Sequence, residues 1–311
     1  MAWLEITIKT EASGIEETAA LLTAAGFADL VLEDQAEFEN FLDENRAYWD
    51  YIDESLQQKL EGLSQIKLYL EDTDTAGLER LRKLTEAQGL RMDVNTMAET
   101  NWEESWKDNY PPVSVGQKLI VLPYWLENPE EARLPVILDP GLTFGTGAHP
   151  STQMVMEFME RLVVPGSRCL DLGSGSGILS IAALRLGASA AVGVDIDPKA
   201  EDIARENAAY NGYAAPAFTA LTGNVTEDKD LMDELSRENW DVVLVNIVAD
   251  VIIGLAPVLP AFVGGDTALI CSGILDTRLT DVTAALEKAG FAVTQVGAKE
   301  DWRSITAKRR T

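Results

Sequence analysis

With 311 residues, 46% of them hydrophobic, the chain is long enough to bury one full core and is expected to form two domains of ordinary size. Its 51 acidic against 25 basic side chains give a formal charge of -26. Such a field repels phosphate backbones and counts against direct nucleic-acid binding, whereas it draws in lysine-rich proteins or simply serves solubility. No stretch approaches the ~18 consecutive apolar residues of a membrane span. The opening residues also lack the basic and apolar regions of a signal peptide, so the expectation is a cytoplasmic protein without a membrane partner.

Leu4, Ile6 and Ile8 alternate, which predicts a first strand. Helical spacing then runs from Ile15 to Ala25 and stops at Gly26, before a second strand at Leu30, Val31 and Leu32. Residues 35–64 are acidic with scattered aromatics (Phe38, Phe41, Tyr48, Trp49, Tyr51), predicting a loop followed by a helix around Glu54 to Leu63. Ile66, Leu68 and Leu70 form a third strand, Thr75 to Gln88 a helix ended by Gly89, and Arg91 to Met97 a last strand. This β-α-β-β-α-β order is that of a ferredoxin-like α+β domain. Residues 1–95 show no catalytic cluster and are read as a substrate-recognition domain. Residues 96–134 hold Trp102, Trp106, Trp125, Pro111, Pro112 and one short apolar strand, Lys118 to Leu122, and read as an ordered linker.

In residues 135–311 apolar runs of strand length alternate with helical patterns, as in a parallel sheet covered on both faces. Strands are predicted around Cys169, Val194, Phe218, Val243, Leu269, Val293 and Ile305, the last two forming an antiparallel hairpin. The result is a Rossmann-like α/β sheet of seven strands. Cys169 and Cys271 lie within apolar runs and are expected to be reduced and structural.

The chemistry gathers in four places. Arg168-Cys-Leu-Asp-Leu-Gly-Ser-Gly-Ser-Gly-Ile178 is a strand, a glycine turn (Gly173, Gly175, Gly177) and a helix start, where backbone approaches a ligand closely. Asp195 closes the next strand, placed for a carboxylate that accepts from ribose hydroxyls. A dinucleotide fingerprint reads G-x-G-x-x-G and receives pyrophosphate, but here the turn is G-x-G-x-G preceded by Asp171. An acid there suits a cofactor carrying a sulfonium and an ammonium, which points to S-adenosylmethionine. The third element is Trp240-Asp-Val-Val-Leu-Val-Asn246-Ile-Val-Ala249, a strand ending in an amide that faces the same crevice. It lacks the Pro-Pro-aromatic run seen in enzymes that methylate planar amines, which favours a non-planar amine. The fourth is Asp139-Pro-Gly-Leu-Thr-Phe-Gly-Thr-Gly-Ala-His-Pro-Ser-Thr152, a glycine-rich loop leading into a helix at Pro150 and read as a closure over the cofactor. His149 is the only histidine in the chain, so no histidine metal cluster or Ser-His-Asp relay is available; it either contacts substrate or is structural.

These elements, in this order and over most of the chain, resemble the bacterial methyltransferases that modify the eleventh protein of the large ribosomal subunit. The loop ending in Thr152 is similar to that family's D-P-G-x-x-F-G-T-G-x-H-x-T-T signature, departing from its commonest form at Ala148 and Ser151. The resemblance implies cofactor contacts from Thr152, Gly173, Asp195 and Asn246. It also implies a small N-terminal domain that captures the ribosomal protein and a mobile linker that presents lysines and the terminal amine in turn. The expected reaction is direct transfer to a neutral amine, with Asn246 as the catalytic candidate, in a chain taken as a monomer. Alternatives are an rRNA or small-molecule methyltransferase, a non-catalytic cofactor-fold scaffold, and a dehydrogenase.

Overall fold

In the computed structural model, which describes residues 3–10, 14–27, 30–34, 64–97, 107, 110–140 and 147–310, the chain divides into two units, Met1–Asn109 and Tyr110–Thr311. The helix expected around Glu54 to Leu63 and the centre of the glycine-rich loop, 141–146, lie outside the described residues. No described helix is long and apolar enough to cross a membrane.

The first unit runs β1 (Trp3–Lys9), α1 (Ile15–Ala24), β2 (Val31–Asp34), β3 (Ser64–Glu71), α2 (Thr75–Ala87) and β4 (Arg91–Met97). Its strands pair in the order β2-β3-β1-β4, all antiparallel, which is the ferredoxin-like arrangement. Period-two side chains explain the burial: Leu4, Ile6 and Ile8 of β1 and Ile66 and Leu68 of β3 pack with Leu22, Phe27 and Leu81. The other face is polar, with Lys67 and Glu33 paired at 2.8 Å across neighbouring strands.

The second unit begins earlier than the sequence pattern indicated. Within the expected linker, β5 (Val113–Val115) and β6 (Leu119–Pro123) form a hairpin, and β6 pairs in parallel with β7 (Leu134–Leu138). All of β6 is buried. Its apolar side chains join the core of the second unit, so residues 113–138 are part of that domain and not a connection to it. The hairpin is tied down by Glu160, whose carboxylate accepts from the backbone N–H groups of Gln117, Lys118 and Leu119.

Thereafter α3 (Pro150–Leu162), β8 (Arg168–Leu172), α4 (Ile178–Arg185), β9 (Ala190–Asp195), α5 (Pro198–Tyr210), β10 (Phe218–Thr222), α6 (Lys229–Ser236), β11 (Val242–Asn246), α7 (Ala249–Leu255), β12 (Ala268–Leu275), α8 (Leu279–Lys288), β13 (Phe291–Lys299) and β14 (Trp302–Arg309) follow. The seven strands stand in the order β10-β9-β8-β11-β12-β14-β13, parallel except for β14, which is antiparallel to both its neighbours. Side chains of α3, α4 and α5 cover one face and those of α6, α7 and α8 the other. Alternate residues of β8 serve the two layers, Cys169 on one side and Leu170 and Leu172 on the other. The strand order reverses direction between β8 and β11, which leaves a crevice at their carboxyl ends.

Two asparagines, Asn207 in α5 and Asn211 capping its C-terminus, fix the root of the glycine-rich loop. Asn207, fully buried, accepts from the Asp139 N–H at 2.8 Å and donates to the Ser176 carbonyl at 2.9 Å, joining loop root to glycine turn. Asn211 pairs with both backbone groups of Ile137. Asn207→Ala removes both of these hydrogen bonds at a fully buried position, and an expected loss of about 2 kcal/mol is read as a lowered urea midpoint at unchanged slope. An unaltered midpoint would show that water replaces the amide at no cost.

Candidate functional site

The glycine turn is held by its neighbour strand before any ligand arrives. The N–H groups of Gly173 and Ser174 donate to the Val194 carbonyl at 2.8 and 3.1 Å, and the Gly175 N–H donates to Asp195 Oδ2 at 2.8 Å. Asp195 Oδ1 accepts from the Asp197 N–H at 3.0 Å, so the carboxylate at the end of β9 is fixed by two backbone donors. Gly173 is left-handed, and a Cβ there would come within 2.5 Å of Ile247 Cγ2. Ile247 is pressed from the other side as well. Gly273, at φ +82°, lies where a Cβ would sit 2.5 Å from the Ile247 carbonyl oxygen. The residue after Asn246 is thus received between a glycine just past the end of β8 and one within β12. The register of β12 against β14 shifts between Cys271 and Ile274, a bulge that brings Gly273 to this point.

Thr152 stands in the first turn of α3, capped by His149, whose Nδ1 accepts from the Ser151 N–H at 3.3 Å and pairs with Ser151 Oγ at 2.7 Å. Burial holds this imidazole below its ordinary value, with the charge of Glu300 acting in the opposite direction. A neutral ring is what the cap requires, since Nδ1 accepts. The ring also meets Trp302 edge-on at 4.6 Å. These contacts give His149 a structural role. Asn246 Nδ2 donates to Thr152 Oγ1 at 3.2 Å, and Asn246 Oδ1 is buried with no partner among the described residues.

Asp171 is placed differently from what its position beside the turn indicated. Its side chain lies beneath α4, where Oδ2 accepts from the Ser180 N–H and hydroxyl, while Oδ1 is buried without a partner among the described residues. Burial pushes the carboxyl up to about 7, the Ser180 hydrogen bonds pull it down, and the charge of Asp195 adds to the rise. The fixed Asp195 carboxylate at the end of β9 and the unpartnered Asn246 Oδ1 at the end of β11 make this end of the sheet rich in acceptors. That donor set fits a cationic, hydroxyl-bearing cofactor and disfavours a pyrophosphate.

Sequence reasoning located Thr152, Gly173, Asp195 and Asn246, and the structure gathers them at the ends of β8, β9 and β11 and the start of α3. It passed over Ile247, Ser272, Gly273 and Ser304. The signal for some of these was a Ser-Gly pair within the apolar run of β12, which marks a bulge. Cys169 and Cys271 are free thiols, fully buried and pushed up to about 12 by desolvation, consistent with inert core positions. Among the described residues no group of three or more metal-ligating side chains gathers. A cleft of about 390 Å³ between α3 and β13 is lined by Met154, Glu157, Phe158 and Lys299 among others, and none of the four site residues lines it.

The family profile described as Ribosomal protein L11 methyltransferase (PrmA) matches residues 2–310. The chain belongs to the ribosomal protein L11 methyltransferase family. The relative from Heliobacterium modesticaldum is 35% identical over 99% of this chain and 98% of its own length. That from Alkaliphilus oremlandii is 34% identical over 99% of each. Among solved structures, the ribosomal protein L11 methylase of Lactobacillus delbrueckii subsp. bulgaricus is similar with a TM-score of 0.58 at 29% identity, covering 65% of this chain and all of that one. Family and fold together make this chain an S-adenosylmethionine-dependent methyltransferase.

The buried Asp171 carboxyl generates a pH dependence. Because the folded state holds this proton more tightly than the unfolded chain, burial is without penalty below pH ~4 and its penalty grows as pH rises toward about 7. Asp171→Asn removes the ionisation while keeping the shape. In urea titrations without cofactor, the variant is expected to gain on the parent chain between pH 5 and pH 8. A constant difference across that range would mean that the carboxyl is already ionised when the chain folds.

Proposed function

We propose that this chain transfers methyl groups from S-adenosylmethionine to amines of ribosomal protein L11, its lysine side chains and N-terminal amine, with the roles assigned as follows. Asp195 binds the ribose hydroxyls, the backbone around Gly173 faces the amino-acid portion, and Thr152 and Asn246 line the methyl-transfer point. The observation that carries this reading is Asn246: an amide at the end of β11, oriented by Thr152, with a buried oxygen that nothing else in the described chain occupies. When bound, the cofactor supplies an electrophilic methyl group on a positively charged sulfur.

A lysine amine starts near pKa ~10.4 and must lose a proton before it can attack. Asn246 Oδ1 accepts an N–H of the neutral amine and so directs the nitrogen lone pair. The amide cannot take the proton itself, which passes to water before the crevice closes. Closing the crevice removes water and lowers the amine's pKa. The net charge of -26 favours a lysine-rich protein over rRNA, and supports action without direct nucleic-acid contact. The chain is proposed to act as a monomer in the cytoplasm, with residues 1–95 capturing the substrate.

Labelled S-adenosylmethionine and undermethylated ribosomes, separated into proteins and rRNA, test the reading directly. Label is expected in protein L11, and label confined to rRNA would refute the substrate assignment. Asn246→Ala is expected to lower kcat on the order of 100-fold, as for the loss of one hydrogen-bonding group at a reacting centre. Asp195→Ala is expected to weaken cofactor binding by about 10- to 100-fold in calorimetry, the loss of hydrogen bonds to a charged group. Turnover in Asn246→Ala equal to that of the parent chain would remove Asn246 from the mechanism.

A further inference from the structure

Ser272 and Ser304 are both fully buried, on neighbouring strands β12 and β14, beneath the site and outside every role assigned so far. Their hydroxyl protons can be assigned by elimination. Ser272 Oγ lies 3.0 Å from the Ser151 carbonyl oxygen, which only accepts, so the single Ser272 proton goes there. The contact between the two serine hydroxyls must then run from Ser304 to Ser272. Ser151 is consequently held at every polar group it has: its N–H and hydroxyl by His149, its carbonyl by Ser272. Thr152 follows directly and receives the Asn246 amide.

The lattice of bonds converges on Asn246 from a second direction. Ser272 is the register partner of Asn246 in the β11–β12 pair, and its carbonyl accepts the Ile247 N–H at 3.2 Å. The next residue, Gly273, makes the close approach to the Ile247 carbonyl. One residue therefore holds both sides of the Asn246–Thr152 contact: its backbone fixes the chain just after Asn246, and its side chain fixes the chain just before Thr152. An Asn side chain presents an oxygen and an NH₂ that exchange places on rotation by half a turn. The Asn246 Nδ2–Thr152 Oγ1 contact, which leaves Oδ1 without a partner among the described residues, requires the first turn of α3 to stay in place.

We propose that Ser272, supported by Ser304, is a positioning residue for methyl transfer. It clamps the start of α3 to the end of β12, so that Thr152 holds the Asn246 amide with its oxygen free for the reacting amine. This rests on the reading of Asn246 and Thr152 given above. A serine that merely filled the core would affect stability without affecting the rate of correctly folded enzyme.

The test is a double-mutant cycle on kcat, with folded protein confirmed by circular dichroism and cofactor binding. Ser272→Ala is expected to lower kcat roughly 10-fold with little change in KM for the protein substrate, as the hydrogen bond it removes is not made to that substrate. Thr152→Val removes the acceptor through which Ser272 acts. In that background Ser272→Ala is expected to cost less than 2-fold further. Equal losses in the two backgrounds, or parental kcat in folded Ser272→Ala, would overturn the proposal. If Ser272→Ala does not fold, Ser304→Ala carries the same cycle, with a loss of about 3-fold expected in the parent and none with Thr152→Val. Parental kcat in Thr152→Val alone would instead refute the underlying site reading and the clamp with it, a result distinct from additivity.

Discussion

Two parallel strands that lie side by side but send their helices to opposite faces cannot cover their own carboxyl ends. Here β8 runs into α4 on one face and β11 into α7 on the other, and beside the opening between them stand Gly173 and Asn246, two of the residues proposed to form the site. The chain must then fit Ile247 into the same narrow space, between the glycine turn after β8 and the bulge in β12. Gly173 and Gly273 are required for that fit. Bulkier residues after Asn246 would have to pass the same constriction.

Much of this was legible in the sequence because it is local. Alternating glycines, an acid closing the next strand, and a polar residue ending an apolar run are patterns that a few neighbouring positions specify, and Gly173, Asp195 and Asn246 were read from them. Thr152 came from a signature loop. The seven strands of the large sheet were legible through their apolar runs, and the four of the first unit through alternation.

What escaped was non-local or depended on burial. Asn207 and Ser272 reach partners 68 and 121 residues away, and nothing in their immediate sequence names those partners. The strands β5 and β6 are short, and only pairing with β7 shows that they belong to the second unit. Asp171 was read correctly as an acid beside the turn, but its charge was inferred from residue type alone. Burial beneath α4 makes it a group with a carboxyl poised near neutrality and not a permanently ionised one.

The position of β14 carries a consequence for how the protein is made. It is the last of the described strands yet lies inside the sheet, between β12 and β13, and among the described residues β13 pairs with β14 alone. A growing chain can already contain the glycine turn, Asp195 and Asn246 while still lacking Ser304. The elements proposed to bind the cofactor therefore emerge from synthesis before the strand proposed to support them. If Ser304 supports the site as proposed, a product terminated before β14 would carry the glycine turn, Asp195 and Asn246 without that support.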